Sequence, residues 1–264
     1  MHSIPRVFLD TSTLKLATDR VVRGFTRQRT IAFGDSSITV PMVQFRIVSK
    51  VPRPGTEQAA DTALLPFIAH LAFRQRIELL WHLDGAIEFG RLPNTDSPRG
   101  RFFGAPITWV AGPQPWGRII ADGHTSMEEH QAKFLRSLRD PRFIELQGAV
   151  GVKDGSKKAA NQLLDAWHIR CAESADAMYF VTCDYKLIRH LESHKRTQPG
   201  VCVVTPRVLL TQLLRSRRLG FVDIYHFVLE KLRSRAWPVP RTGLEDLAAL
   251  GEKLERQGHY DRTR

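Results

Sequence analysis

Four short apolar runs bounded by breakers punctuate the chain: residues 6–9 (RVFL), 77–81 (IELLW), 178–182 (MYFVT) and 201–205 (VCVVT). Runs of four or five residues without polar alternation are what strands covered on both faces look like. Between them lie helical patterns. Over residues 156–175, Ala160, Leu163, Leu164, Trp167 and Cys171 recur at helical spacing as one apolar stripe, and Asp165 lies off it. Over residues 56–76, Leu64, Ile68 and Leu71 share a face, and Pro66 is expected to kink or divide the helix. A third helix is predicted from Thr125, whose spacing to Glu128 fits a capping box, and stops before Asp140-Pro141. Strands separated by helices imply a parallel sheet with helices on each side, a three-layer α/β fold.

Three stretches depart from that alternation. Residues 30–48 flank the turn-rich Gly34-Asp35-Ser36-Ser37 and predict a β-hairpin after the first strand, surrounded by Arg20, Arg23, Arg27, Arg29, Arg46, Lys50 and Arg53. Residues 91–123 are rich in Pro and Gly and carry Arg99, Arg101, Phe102, Phe103, Trp109, Trp116 and Arg118, as in a long loop over the active face. The tail after Pro206 is helical in character to about residue 232, breaks at Trp237-Pro-Val-Pro, and resumes a helical pattern over 243–257.

Charge adds a partner to this picture. The chain has 264 residues, 42% of them hydrophobic, and 39 Lys+Arg against 27 Asp+Glu give a net charge of +12. Such an excess faces a polyanion, with nucleic acid first among them. No run reaches the roughly 18 apolar residues of a spanning helix, so no membrane partner is expected. Cys171, Cys183 and Cys202 are odd in number and lack CxxC spacing, which argues against disulfides and zinc knuckles. They read as small buried residues in a reducing compartment. The N-terminal residues show no secretory signal, and a cytoplasmic location is the expectation.

Four acids carry the candidate chemistry. Ligands of open α/β sheets bind at the carboxyl ends of the parallel strands. Asp10 directly follows Val-Phe-Leu, and Asp184 comes two residues after Phe-Val-Thr, so both belong to that edge. Asp165 lies in mid-helix, where Asp is a poor helix former, and Glu88 follows the 77–81 strand where a helix would start. Carboxylates packed together raise one another's pKa unless a cation neutralises them. Mg²⁺ or Mn²⁺ suits oxygen ligands and the hydrolysis of phosphodiesters.

Taken together, Val7-Phe-Leu-Asp10-Thr-Ser-Thr, Asp165-Ala-Trp-His-Ile-Arg-Cys-Ala172, Ala175-Asp176-Ala-Met-Tyr-Phe-Val-Thr-Cys-Asp184-Tyr-Lys-Leu-Ile and Val203-Val-Thr-Pro206 resemble the PIN domain nucleases, including the VapC-type toxins. The match is good over 1–16 and 155–210 and loose between them. The resemblance implies a Mg²⁺- or Mn²⁺-dependent endoribonuclease whose first, third and fourth acids are Asp10, Asp165 and Asp184. It selects Glu88 as the second acid, with Glu78 and Asp84 as competitors. It also implies an antitoxin covering the acidic cleft, if the protein is a toxin, and a homodimer. On this reading residues 1–210 form the nuclease domain, with an insertion at about 18–55 and the loop at about 91–123. Residues 211–264 are a basic helical extension.

Each acid also has an ordinary structural reading. Asp10 and Asp184 suit caps, and capping and metal binding coexist. Glu88 reads almost equally well as a solvated surface acid. Thr11, Ser12 and Thr182 offer hydroxyls beside the acids. His168, one turn after Asp165, reads as a surface or packed histidine. Asp176 reads as structural. Arg23, Arg27, Arg29, Arg99, Arg101 and Arg118 are the candidate RNA contacts, although the aromatics of 91–118 fit loop packing better than base stacking. No GxSxG, HExxH, Walker-type loop or GxGxxG occurs. The competing functions are a noncatalytic PIN-like RNA-binding or scaffold protein and a structure-specific DNA nuclease.

Overall fold

The computed structural model describes residues 3–17, 20–34, 36–49, 52–82, 101–114, 127–153, 155, 158–194, 197–216, 218–220, 223–224 and 227. Strand β1 (Arg6–Leu9) leads into α1 (Thr11–Ala17), the hairpin strands β2 (Arg20–Phe33) and β3 (Ser36–Ser49), and α2 (Glu57–Phe73). Then come β4 (Glu78–His82), a 3₁₀ turn at Arg101–Gly104 and β5 (Ile107–Val110). The second half runs α3 (Met127–Ser137), α4 (Pro141–Ala149), α5 (Ala159–Ser174), β6 (Tyr179–Val181), α6 (Tyr185–Ser193), β7 (Cys202–Val204) and α7 (Pro206–Arg215).

Five strands form one parallel sheet in the order β5-β4-β1-β6-β7. Side chains alternate across it. Val7, Leu9, Leu79, Trp81, Tyr179 and Val181 pack with α1, α2 and α7, whereas Phe8, Leu80 and Phe180 pack with α3, α4, α5 and α6. Both faces of the sheet are therefore covered, and this is why the central strands read as continuous apolar runs. The expected α/β architecture, a parallel sheet flanked by helices, is present.

Several details differ from the expectations. Strand β5 forms inside the stretch expected to be a loop, since Ile107 and Val110 are half-buried and Thr108 and Trp109 exposed at the sheet edge, which gave no apolar run. Phe102 anchors the preceding turn, buried in the core despite a φ of 48°, and burial of a large aromatic offsets the cost of that conformation. Helix α2 runs unbroken through Pro66, held by the burial of Leu64, Leu65, Phe67 and Ile68 on both sides of it. Of the expected stripe of α5, Leu163, Trp167 and Cys171 are buried and Ala160 and Leu164 half-buried, while Ala166, His168 and Ile169 widen the buried face; Cys202 is exposed whereas Cys171 and Cys183 are buried. Helix α7 spans residue 210, and Leu213, Leu219, Ile224 and Phe227 belong to the core cluster of β1 and α2. Among the described residues no helix is long and apolar enough to cross a membrane.

Candidate functional site

Going along the chain, successive strands are added on one side of β1 (β4, then β5), and then on its other side (β6, then β7). The direction reverses between β1 and β6, and in open α/β sheets the crevice for ligands lies outside the carboxyl ends of the two strands at such a reversal. Asp10 leaves β1 at that place, its amide still bonded to the Val181 carbonyl at 3.0 Å. Thr182, Cys183 and Asp184 leave β6 beside it, the Thr182 amide bonded to the Val204 carbonyl at 3.0 Å.

The Asp10 carbonyl accepts the first bonds of α1 from Thr13 and Leu14, so the residue begins that helix through its backbone. Its carboxylate has a different use. It is 5% exposed and accepts hydrogen bonds at Oδ2 from the Ser12 hydroxyl and, at 2.8 Å, from the Thr182 hydroxyl. The Ser12 oxygen in turn accepts from the Cys183 amide (3.2 Å), and the Thr182 oxygen from the Asp184 amide (3.0 Å). Each hydroxyl has one proton to give, Asp10 Oδ2 lies within reach of both, and the two hydroxyl oxygens stand 3.1 Å apart. The arrangement favours an ionised acceptor. Burial pushes the Asp10 carboxyl up, but His168, Ser12 and Thr182 together bring it below the usual carboxylate range. His168, 3% exposed on α5, places Nδ1 3.5 Å from Asp10 Oδ1.

Asp184 is the N-cap of α6, its Oδ1 accepting from the amides of Lys186 (2.8 Å) and Leu187 (3.1 Å). Both bonds fall on one oxygen, so capping occupies only that one. Asp165 is half-buried on α5, one helical turn before His168 and so on the same side of the helix. The Thr11 hydroxyl is buried without a hydrogen-bond partner among the described residues. No match to this chain was found among protein families, curated proteins or solved structures. The site thus rests on its own geometry.

That geometry joins some of the sequence-predicted residues and leaves others apart. Asp10, Ser12, Thr182 and Asp184 belong to one hydrogen-bonded web. Among the described residues no three His, Cys, Asp or Glu side chains come together as a metal-holding group. Glu88 and its competitor Asp84 lie outside the described residues, as do Arg99, Arg118 and Thr125. The other competitor, Glu78, pairs with Arg6 at 3.2 Å where β1 and β4 begin, at the opposite edge of the sheet from Asp10. The hard oxygen donors Asp10, Asp165 and Asp184 have the chemistry that Mg²⁺ or Mn²⁺ prefers.

Three features were missed from the sequence. His168 was visible only as the residue at i+3 from Asp165, and its approach to Asp10 depends on how α5 crosses the sheet. Asp61, buried at 3% on α2, accepts from the Tyr185 hydroxyl and from the Arg207 amide (2.8 Å), so it ties α2 to the starts of α6 and α7. Burial raises its carboxyl above the usual range, against the hydrogen bonds from Tyr185 and Arg207. Finally, a groove of about 390 Å³ beside Asp184 is lined by Ser12, Lys15, Tyr185, Lys186 and Arg189 among others. Lys186 and Arg189 stand three apart on α6, a spacing that puts them on one face.

Proposed function

We propose that this protein is a PIN-like, metal-dependent endoribonuclease whose site is the crevice at the ends of β1 and β6. The observation that carries the reading is the ionised, buried Asp10 at the topological reversal of the sheet, adjoining a groove that holds Lys15, Lys186 and Arg189. A buried anion beside a cationic groove suits a divalent ion and a polyanion bound next to each other.

Asp10, Asp165 and Asp184 would hold the ion, with Glu88 as the fourth acid. When bound, Mg²⁺ or Mn²⁺ supplies Lewis-acid stabilisation of the phosphodiester and a more acidic water. The chain's own residues have separate tasks. Ser12 and Thr182 fix the Asp10 carboxylate through Oδ2 and keep it deprotonated. His168 orients the same carboxylate from Oδ1. The α6 amides fix Asp184 through one oxygen and leave the other for a ligand. Lys186 and Arg189 attract the phosphate backbone without reading its sequence. An antitoxin-like partner over the cleft and a homodimer belong to the same proposal.

A specific observation favours a second reading, a noncatalytic PIN-like RNA binder: Asp10 already has His168 within 3.5 Å, and the described acids do not form a group of three. Mn²⁺ titrated calorimetrically into the protein, together with cleavage of an RNA and a DNA oligonucleotide of the same sequence, separates the readings. The nuclease binds the ion, loses that binding in Asp10→Asn, and cuts RNA in preference to DNA. Tight RNA binding without ion binding or cleavage establishes the second reading; faster cutting of DNA establishes a DNA nuclease.

A further inference from the structure

Among the described residues, the hairpin β2–β3 is a two-stranded sheet of its own, not paired with the five-stranded one. Its strands have 14 residues each, a length of about 45 Å at the usual rise per residue. Gly34, at φ 58°, makes the turn in a conformation that favours glycine. Seven consecutive residues, 26 to 32, are exposed. Successive side chains point to opposite faces, so β2 is bare on both faces over that length. Isolated two-stranded ribbons are marginal in water, and long bare strands invite a partner.

The chemistry of the ribbon says which partner. Its two strands contain Arg20, Arg23, Arg27, Arg29 and Arg46 and no acidic residue. Arg27 and Arg29 are exposed and lie two apart, hence on one face, where the register pairs them with Met42 and Val40. Positions 23 and 46 pair with each other on the same parity. On that face the cross-strand pair Ile31 and Ile38 is exposed by 37% and 55%, and a concavity of about 370 Å³ along the ribbon is lined by Arg27, Arg29, Met42 and Gln44 together with Gln28 and Thr30. The opposite face carries Thr26, Gln28, Thr30, Thr39 and Pro41, all uncharged, and position 20, an arginine, has that parity at the end of β2 far from the turn. Pairing with a second copy would set these cations against their own kind, and Pro41 removes an amide donor from β3.

We infer that the hairpin is an arm that holds single-stranded RNA, its arginine face meeting the phosphates and its exposed isoleucine side chains, beside the half-buried Met42, meeting unstacked bases. Arg27 and Arg29 stand about 7 Å apart along the strand, close to the spacing of successive phosphates. A duplex hides the base faces that the apolar positions would cover, which is why the single strand is favoured. The inference deepens the proposed RNA function but is independent of turnover.

Its test is the affinity of a fluorescent 20-nucleotide single-stranded RNA, and of the same RNA as a duplex, measured in EDTA over a range of salt. The Asp10→Asn chain is compared with the same chain also carrying Arg27→Gln and Arg29→Gln, with circular dichroism confirming an unchanged fold. The two arginine changes should weaken single-strand binding about tenfold and reduce the salt slope by about 1.4, since each contact to a single strand contributes about 0.7. Ile38→Ser should weaken it without changing the slope. An unchanged affinity and slope overturns the inference. So does tighter binding of the duplex, or a concentration-dependent oligomer on gel filtration that the arginine changes dissolve. Because the measurement needs no cleavage, a protein that fails to cut RNA leaves its outcome intact.

Discussion

At Asp10, burial pushes the carboxyl up, and His168, Ser12 and Thr182 more than reverse the shift. A carboxyl held below its unfolded value, near 3.8, adds stability that is fully present above that pH. This contribution is lost as pH falls through the lower folded value. Acid unfolding of the wild type should therefore steepen below about pH 4, while Asp10→Asn, which has no charge to protect, shows a shallower dependence there. Chemical denaturation at pH 3 and pH 6 reads the difference; parallel pH dependences in the two proteins would contradict the ionised, stabilised Asp10. At this scale the sequence was informative where chemistry follows directly from chain position. Asp10 and Asp184 could be placed because each ends a strand. The proximity of His168 and the pairing of Asp61 with Tyr185 were not legible, because they depend on packing between elements far apart in sequence.

Between elements, Arg142 on α4 joins α5 to the segment before β7. Its guanidinium donates to Glu173 on α5 from Nε (3.0 Å) and Nη2 (2.7 Å), and to the Gln198 carbonyl (2.7 Å). Glu173 also accepts from the Gly200 amide just before β7. The Arg142 side chain is 31% exposed and that of Glu173 10%, so losing the arginine strands a largely buried carboxylate. Arg142→Met should lower the unfolding free energy by about 1–3 kcal/mol while leaving RNA cleavage at its wild-type rate; urea denaturation and an initial-rate assay check the two halves. A loss of activity at full stability would place α4 nearer the chemistry than this account does. The elements themselves were legible to different extents. β1, β4, β6 and β7 announced themselves as apolar runs because both their faces are covered. β5 did not, because its Thr108 and Trp109 are exposed at the sheet edge. α2 survives Pro66 because tertiary burial outweighs the lost backbone bond, which local propensity alone does not anticipate.

The whole molecule combines a net charge of +12 with a buried, ionised carboxylate at the reversal point of a parallel sheet. The alternation of strands and helices made this architecture readable, since a parallel sheet needs crossover connections. The proposed route of RNA was less readable, because it depends on where a hairpin and a groove expose their cations. The most direct test of the account is single-turnover cleavage of RNA with Mn²⁺, with Mg²⁺ and with EDTA, by the wild type, Asp10→Asn and Asp165→Asn. The account predicts metal-dependent cutting that EDTA stops and that each substitution reduces by at least about 100-fold, an electrostatic contribution of the usual size at such sites. Intact RNA under every condition, or cutting that persists unchanged in Asp10→Asn, would contradict it.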